Sequence, residues 1–201
     1  MPSKTISPRI RSMYEYANIP KDYWSVSLSA IKDSDYKEKI VEYHDNIRSK
    51  IINGDSLFLY GKLGTGKSGC ACLLLQKALA NGIMGFYTPT MPLQQYSIKD
   101  TPFGNNMTMM ERCNTVPFLV IDELQLKANK RWVYEVLDDL IRYRIGNKLS
   151  TIICSNYGPD KLSDFSVKDE DKDNIYPLEG FVDVCKQAFE VIKVEGQRFR
   201  N

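Results

Sequence analysis

From residue 56 onward, short apolar runs alternate with stretches in which apolar side chains recur every three or four positions. The runs at 56–60, 84–88, 117–122, 149–154 and 189–194 have strand length and are rich in β-branched and aromatic residues. Between them the spacing predicts helices over 67–80, 130–145 and 179–188. "GCACLLLQKALA" is apolar nearly all round, as a helix pressed against a sheet must be. In the next long helix Trp132, Val133, Val136, Leu137, Leu140 and Ile141 form one stripe, with Asn129 as its expected cap. Strands alternating with helices predict a three-layer α/β/α fold with a mainly parallel five-stranded sheet.

Ahead of this lies a different pattern. Tyr36, Ile40, Tyr43, Ile47 and Ile51 recur at helical spacing, with Asp33 and Ser34 as caps and Gly54 as terminator, predicting one amphipathic helix. Residues 1–32 show no clear period and are read as an extended arm. The expected organisation is an arm and amphipathic helix over 1–54, then a core over 55–201. Within the core, 89–116 reads as irregular and 159–178 as a charged surface loop.

Composition narrows the class. With 43% hydrophobic and 26% charged residues in 201, the chain fits one main soluble globular domain. It contains no apolar stretch near the roughly 20 residues that span a bilayer, and its first residues lack a secretory signal, so no membrane and a cytoplasmic location are expected. The five cysteines, Cys70, Cys72, Cys113, Cys154 and Cys185, sit in apolar patterns and suggest neither disulfides nor, with His44 the only histidine, a zinc site. A formal net charge of +2 does not suggest a protein that coats duplex nucleic acid by bulk electrostatics, so any such contact must come from local patches.

Chemistry concentrates in "YGKLGTGKSG". Gly61, Lys62, Leu63, Gly64, Thr65, Gly66, Lys67, Ser68 and Gly69 satisfy G-x-x-x-x-G-K-[ST], with an apolar strand before and an apolar helix after. Glycines allow successive backbone N–H groups to turn inward at a helix N-terminus, where the peptide dipoles favour the phosphates of ATP. Lys67 is expected to reach the β- and γ-phosphates and Ser68 to bind Mg²⁺. "PFLVIDEL" then carries Asp122 to the C-terminal end of a buried strand, as a second Mg²⁺ ligand, with Glu123 polarising an attacking water. Asn156, after "STIICS", is placed to contact the γ-phosphate or orient that water.

The order of these motifs resembles the DnaC/DnaI/IstB group of AAA+ ATPases, particularly replicative helicase loaders. "YGKLGTGKS" is similar to its Walker A loop, "VPFLVIDEL" to its Walker B strand and "KLSTIICSNY" to its sensor 1 strand; "KRWVYEVLDDLIRYR", "VIKVEGQRFR" and "YANIPKDYW" also match family segments. The resemblance implies a P-loop NTPase of ASCE/AAA+ type, without a C-terminal lid because the chain stops just after the last strand. It also implies ATP hydrolysis, homo-oligomers when ATP is bound, a DnaB-type replicative helicase as partner, and single-stranded DNA near Tyr96, Lys99, Phe103, Lys127, Lys130 and Arg131. "LEGFVDVCKQAFEVI" lacks the arginine expected to act on a neighbouring subunit's ATP, so slow turnover is expected unless Lys186, Arg144 or a partner's arginine substitutes. Three other functions share the motif: an IstB-like helper of a DNA transposase, a small-molecule kinase, and an adaptor that binds ATP with little turnover.

Overall fold

The computed structural model describes residues 6–31, 34–90, 107–124, 131–163 and 176–195. Its centre is a sheet of β1 (Ser56–Tyr60), β2 (Gly85–Pro89), β3 (Phe118–Leu124), β4 (Ser150–Ser155) and β5 (Phe189–Lys193), in the spatial order β2-β3-β4-β1-β5. Every neighbouring pair is parallel, with Leu59 opposite Cys154 and Ile192, and Phe118 opposite Gly85 and Ser150. Parallel strands require crossovers, and helices provide them on both faces.

The two faces follow from the period of two along each strand. Leu57 and Leu59 join one apolar cluster with Val120, Ile152 and Cys154, while Phe58 joins the other with Leu119, Ile121 and Ile153. The first face is covered by α2 (Asp35–Asp45), α3 (Ile47–Asn53) and α4 (Lys67–Ala80). The second is covered by α5 (Met109–Thr115), α6 (Arg131–Gly146), α7 (Pro159–Ser163) and α8 (Tyr176–Ala188). The expected strands and three helices are present within a few residues, and the sheet is parallel and layered between helices as expected. Among the described residues no helix is long and apolar enough to cross a membrane.

Three expectations are corrected. The stretch read as an extended arm contains a helix, α1 (Pro8–Tyr16), because Ser7 caps it by accepting the N–H of Ile10 and Pro8 fits its first turn; short 3₁₀ turns follow at Lys21–Tyr23 and Leu28–Ala30. The single helix expected over 36–52 is two. Asn46 breaks it at φ −102°, ψ 21°, its side-chain amide donating to the carbonyl of Glu42 at 2.9 Å and so competing with the helical ladder. The stretch to 116 is not wholly irregular, since Thr108 and Glu111 form a reciprocal capping box that starts α5. Ser34 occupies the N-cap of α2, where its side chain makes no capping hydrogen bond to the helix. Asp33 and Asn129 lie outside the described residues. Ala17, Ile19, Ile31 and the buried residues of α2 and α3 share one apolar cluster with β1 and α4, across the expected boundary at residue 54.

The five cysteines are free and buried, and burial pushes the thiols of Cys70 and Cys113 up to about 12. Among the described residues no cluster of metal-ligating side chains stands ready to hold an ion by itself.

Candidate functional site

The glycine-rich loop leaves β1 at its C-terminal end, where in parallel α/β sheets ligands collect. Its start is pinned between neighbouring strands: Gly61 N–H donates to the Ser155 carbonyl at 3.3 Å, and Val194 N–H to the Tyr60 carbonyl at 2.7 Å. Gly61 has φ +154°, and a Cβ there would lie 2.2 Å from the carbonyl oxygen of Val194. Only glycine fits that approach. Gly66, at φ +100°, turns the chain into α4, a helix of 14 residues whose first N–H groups face the loop. Thr65 is buried and donates its hydroxyl to the Lys62 carbonyl at 3.0 Å, bracing the loop from within. Lys62 and Leu63 form the exposed tip, and Ser68 and Gly69 lie half-buried in the first turn of α4.

Lys67 points into the loop. Its ammonium donates to the carbonyls of Gly61 (2.8 Å) and Lys62 (2.9 Å) and to Oδ1 of Asn156 (3.2 Å). Burial lowers its pKa, while the Asp122 charge nearby acts in the opposite direction. Asp122, at the end of β3, is buried. Its Oδ2 accepts the Tyr87 hydroxyl at 2.6 Å, its Oδ1 accepts the Glu123 N–H at 2.8 Å, and its backbone carbonyl accepts the Thr90 hydroxyl at 3.0 Å.

Glu123 is exposed and sits in the left-handed region at φ +56°, where the pairing of β3 with β4 shifts register between Ile121 and Leu124. A non-glycine residue there costs roughly 1–2 kcal/mol. Such an irregularity turns a side chain away from the strand's alternation, in this case out of the core and toward solvent at the same strand end as Asp122. Asn156, half-buried, follows β4, and Ser155 beside it donates its hydroxyl to the Leu124 carbonyl at 3.1 Å, tying the ends of β3 and β4 together.

The structure thus gathers the loop, Lys67, Asp122 and Asn156 at one end of the sheet. Three donors on a buried ammonium, the amides of a helix N-terminus and a carboxylate suit a polyphosphate bearing a hard divalent cation. Each Asp122 oxygen accepts one hydrogen bond and keeps a further lone-pair direction for such an ion.

Arg144 is corrected. It was open as a cation reaching a neighbouring subunit, yet it is fully buried at the end of α6. Its guanidinium donates to Thr151 Oγ1 (2.8 Å) and to the carbonyls of Cys113 (2.5 Å), Val116 (3.0 Å) and Ser150 (2.6 Å). No surface is within its reach. Lys186 remains exposed and pairs with Asp160 at 2.7 Å. The residues expected near a DNA strand lie outside the described ones, except for the backbone of Arg131, which opens α6. Sequence reasoning missed Tyr87 and Thr90. A tyrosine in a buried strand must find a partner for its hydroxyl, which was the available signal.

Fold and site together define the class, a three-layer α/β domain whose glycine-rich loop joins a parallel strand to a helix. No protein-family profile matches the chain. In sequence it is 27% identical over 163 residues to the replicative helicase loader DnaI of Bacillus subtilis (strain 168), covering 76% of this chain and 50% of that protein. The chain therefore spans about half the length of this curated relative. In structure it is similar to DnaI, with TM-score 0.73, 18% identity and coverage of 90% and 94% of the two chains. It is likewise similar to the DnaC helicase loader, with TM-score 0.70, 22% identity and coverage of 88% and 100%. In sequence the chain is thus similar to a helicase loader, and in fold to the DnaI and DnaC structures.

Proposed function

We propose that the chain is an ATP-dependent loader of a replicative DnaB-type helicase, with residues 55–201 as its ATPase core. The observation that carries this reading is the sequence similarity to DnaI, in a chain whose loop, buried lysine and strand-end carboxylates have the geometry described above.

Magnesium-ATP, when bound, supplies the phosphoryl group and a cation that offsets its charge. The chain's own residues do the rest. Backbone N–H groups of Gly64 to Gly69 would cradle the phosphates, and Lys67 would exchange its loop carbonyls for phosphate oxygens. Ser68 and Asp122 would hold the metal. Glu123 would take a proton from the attacking water, and Asn156 would orient that water while restraining Lys67. The N-terminal arm or the core itself docks the helicase, ATP favours a homo-oligomer, and single-stranded DNA runs through the assembly.

Turnover by the isolated chain is slow, because "YPLEGFVDVCKQA" of α8 contains no arginine and Arg144 is locked inside. A finger arginine can contribute about 10³ to 10⁵ in rate. The same feature favours one second reading, an adaptor that binds ATP with little hydrolysis.

Light-scattering mass on gel filtration, with the chain mixed with its host's replicative helicase, tests the proposal. A complex that forms or tightens with ATP and Mg²⁺ is expected. Failure to associate in either condition overturns the loader reading, and an ATP-dependent footprint on duplex DNA would replace it with the transposase-helper reading.

A further inference from the structure

Tyr87 is buried in β2 and its hydroxyl donates to Oδ2 of Asp122 at 2.6 Å. The register explains the reach: Tyr87 is opposite Val120, and Asp122 stands two residues further along β3 on the same face. Cross-strand diagonal neighbours of this kind lie within reach of an aromatic side chain.

The other side of Tyr87 is held from outside the sheet. Its N–H donates to the Ala17 carbonyl at 2.9 Å, and its carbonyl accepts the side-chain amide of Asn18 at 2.9 Å. Asn18 adopts φ +58°, which aims its amide at β2. Arg112 stacks on both Tyr16 and Phe86, and its guanidinium donates to the Tyr16 carbonyl, fixing the segment against the strand. The backbone of Tyr87 is therefore held by Ala17 and Asn18, and its hydroxyl by the carboxylate.

We infer that Tyr87 is a positioning residue for Asp122, orienting the carboxylate toward the metal, and that the segment Tyr16–Asn18 holds it in register. The inference rests on the ATPase reading, in which Asp122 binds the cation. A hydrogen bond to one carboxylate oxygen fixes the plane of the group and leaves defined lone pairs for an ion. Loss of such an outer partner typically weakens metal affinity by about 10- to 100-fold.

The test is calorimetric titration of the full chain with the analogue AMPPCP at stepped Mg²⁺ concentrations. Tyr87→Phe, nearly isosteric, is expected to raise the Mg²⁺ concentration for half-maximal tightening about 10-fold or more, while binding in EDTA changes little. A merely structural role would lower the thermal midpoint and weaken binding in EDTA while leaving the metal response alone. A metal response within twofold of the parent's, in a chain where Asp122→Asn does weaken it, overturns the inference and spares the ATPase reading. No metal-dependent binding by the parent overturns both. Should Tyr87→Phe not fold, Asn18→Gly, which keeps the left-handed backbone and removes only the amide, is judged by the same twofold criterion.

Discussion

Lys67 and Asn156, 89 positions apart in the chain, meet in a hydrogen bond of 3.2 Å from the ammonium to the amide oxygen. With the two loop carbonyls, this engages all three N–H donors of the lysine. The loop is thus organised around a cation that already points inward.

Replacing that cation is the first prediction. Lys67→Ala is expected to weaken nucleotide binding about 10- to 100-fold, the worth of a hydrogen bond to a charged group at ~1.5–3 kcal/mol. Calorimetry measures this directly. The pH dependence follows from the lowered pKa: below it the ammonium is charged and ready for phosphate, and a bound anion raises the pKa again. Affinity should therefore fall as pH rises from the lowered value toward the ordinary 10.5, with proton uptake on binding in that window. An enthalpy independent of the buffer's ionisation heat in that window contradicts it.

Gly61→Ala should damage both fold and site, because its methyl would sit 2.2 Å from the Val194 carbonyl. The neighbour is backbone, with little freedom to give. A loss of about 1–3 kcal/mol in denaturant unfolding is expected, together with weakened nucleotide binding. Wild-type stability in this variant would show that the loop start is not clamped against β5.

Glu123→Gln separates hydrolysis from binding. The carboxylate is exposed at the register shift, and its removal should lower ATP turnover about 10²- to 10⁴-fold, the usual worth of a positioned general base, with nucleotide affinity retained. Phosphate release assays under saturating ATP decide this. If neither turnover nor the lifetime of a helicase complex changes, the adaptor reading gains.

Arg144→Met should destabilise the domain by about 3–5 kcal/mol, since it strips donors from three buried carbonyls and a hydroxyl. Arg144→Lys should rescue little, because one ammonium cannot match that fork. In mixed oligomers neither variant should act as a missing trans-acting cation. Normal stability with turnover lost in a neighbouring subunit would reverse this assignment.

Much of this was readable before any coordinates. The glycine-rich loop was legible because it sits between an apolar strand and an apolar helix, and the position of Asp122 because it closes an apolar run, contexts local in sequence. Arg144 was misplaced although the signal existed: it falls three, four and seven positions after Ile141, Leu140 and Leu137, on the buried face of α6. Charge outweighed period in that reading. The start of α1 was also present as Ser7 followed by Pro8, and was passed over because no apolar stripe follows it. The bond between Tyr87 and Asp122 was different in kind, since it depends on the register of β2 against β3 and no local pattern reports that.

The covering of β2 by Ala17 and Asn18 also bears on colloidal behaviour. An outer strand of a sheet is a template for pairing with another chain. At this margin Tyr87 has its outward N–H and carbonyl taken, and Pro89, two residues on, has no N–H to offer. At the opposite margin β5 exposes Glu190 and Lys193, with Glu190 paired to Lys39 at 2.8 Å, charges that discourage strand addition. Copies of the chain are thereby steered to meet through helices and loops rather than by extending the sheet. A chain shortened past Asn18 should lose that protection and show it as thioflavin-positive aggregation on storage.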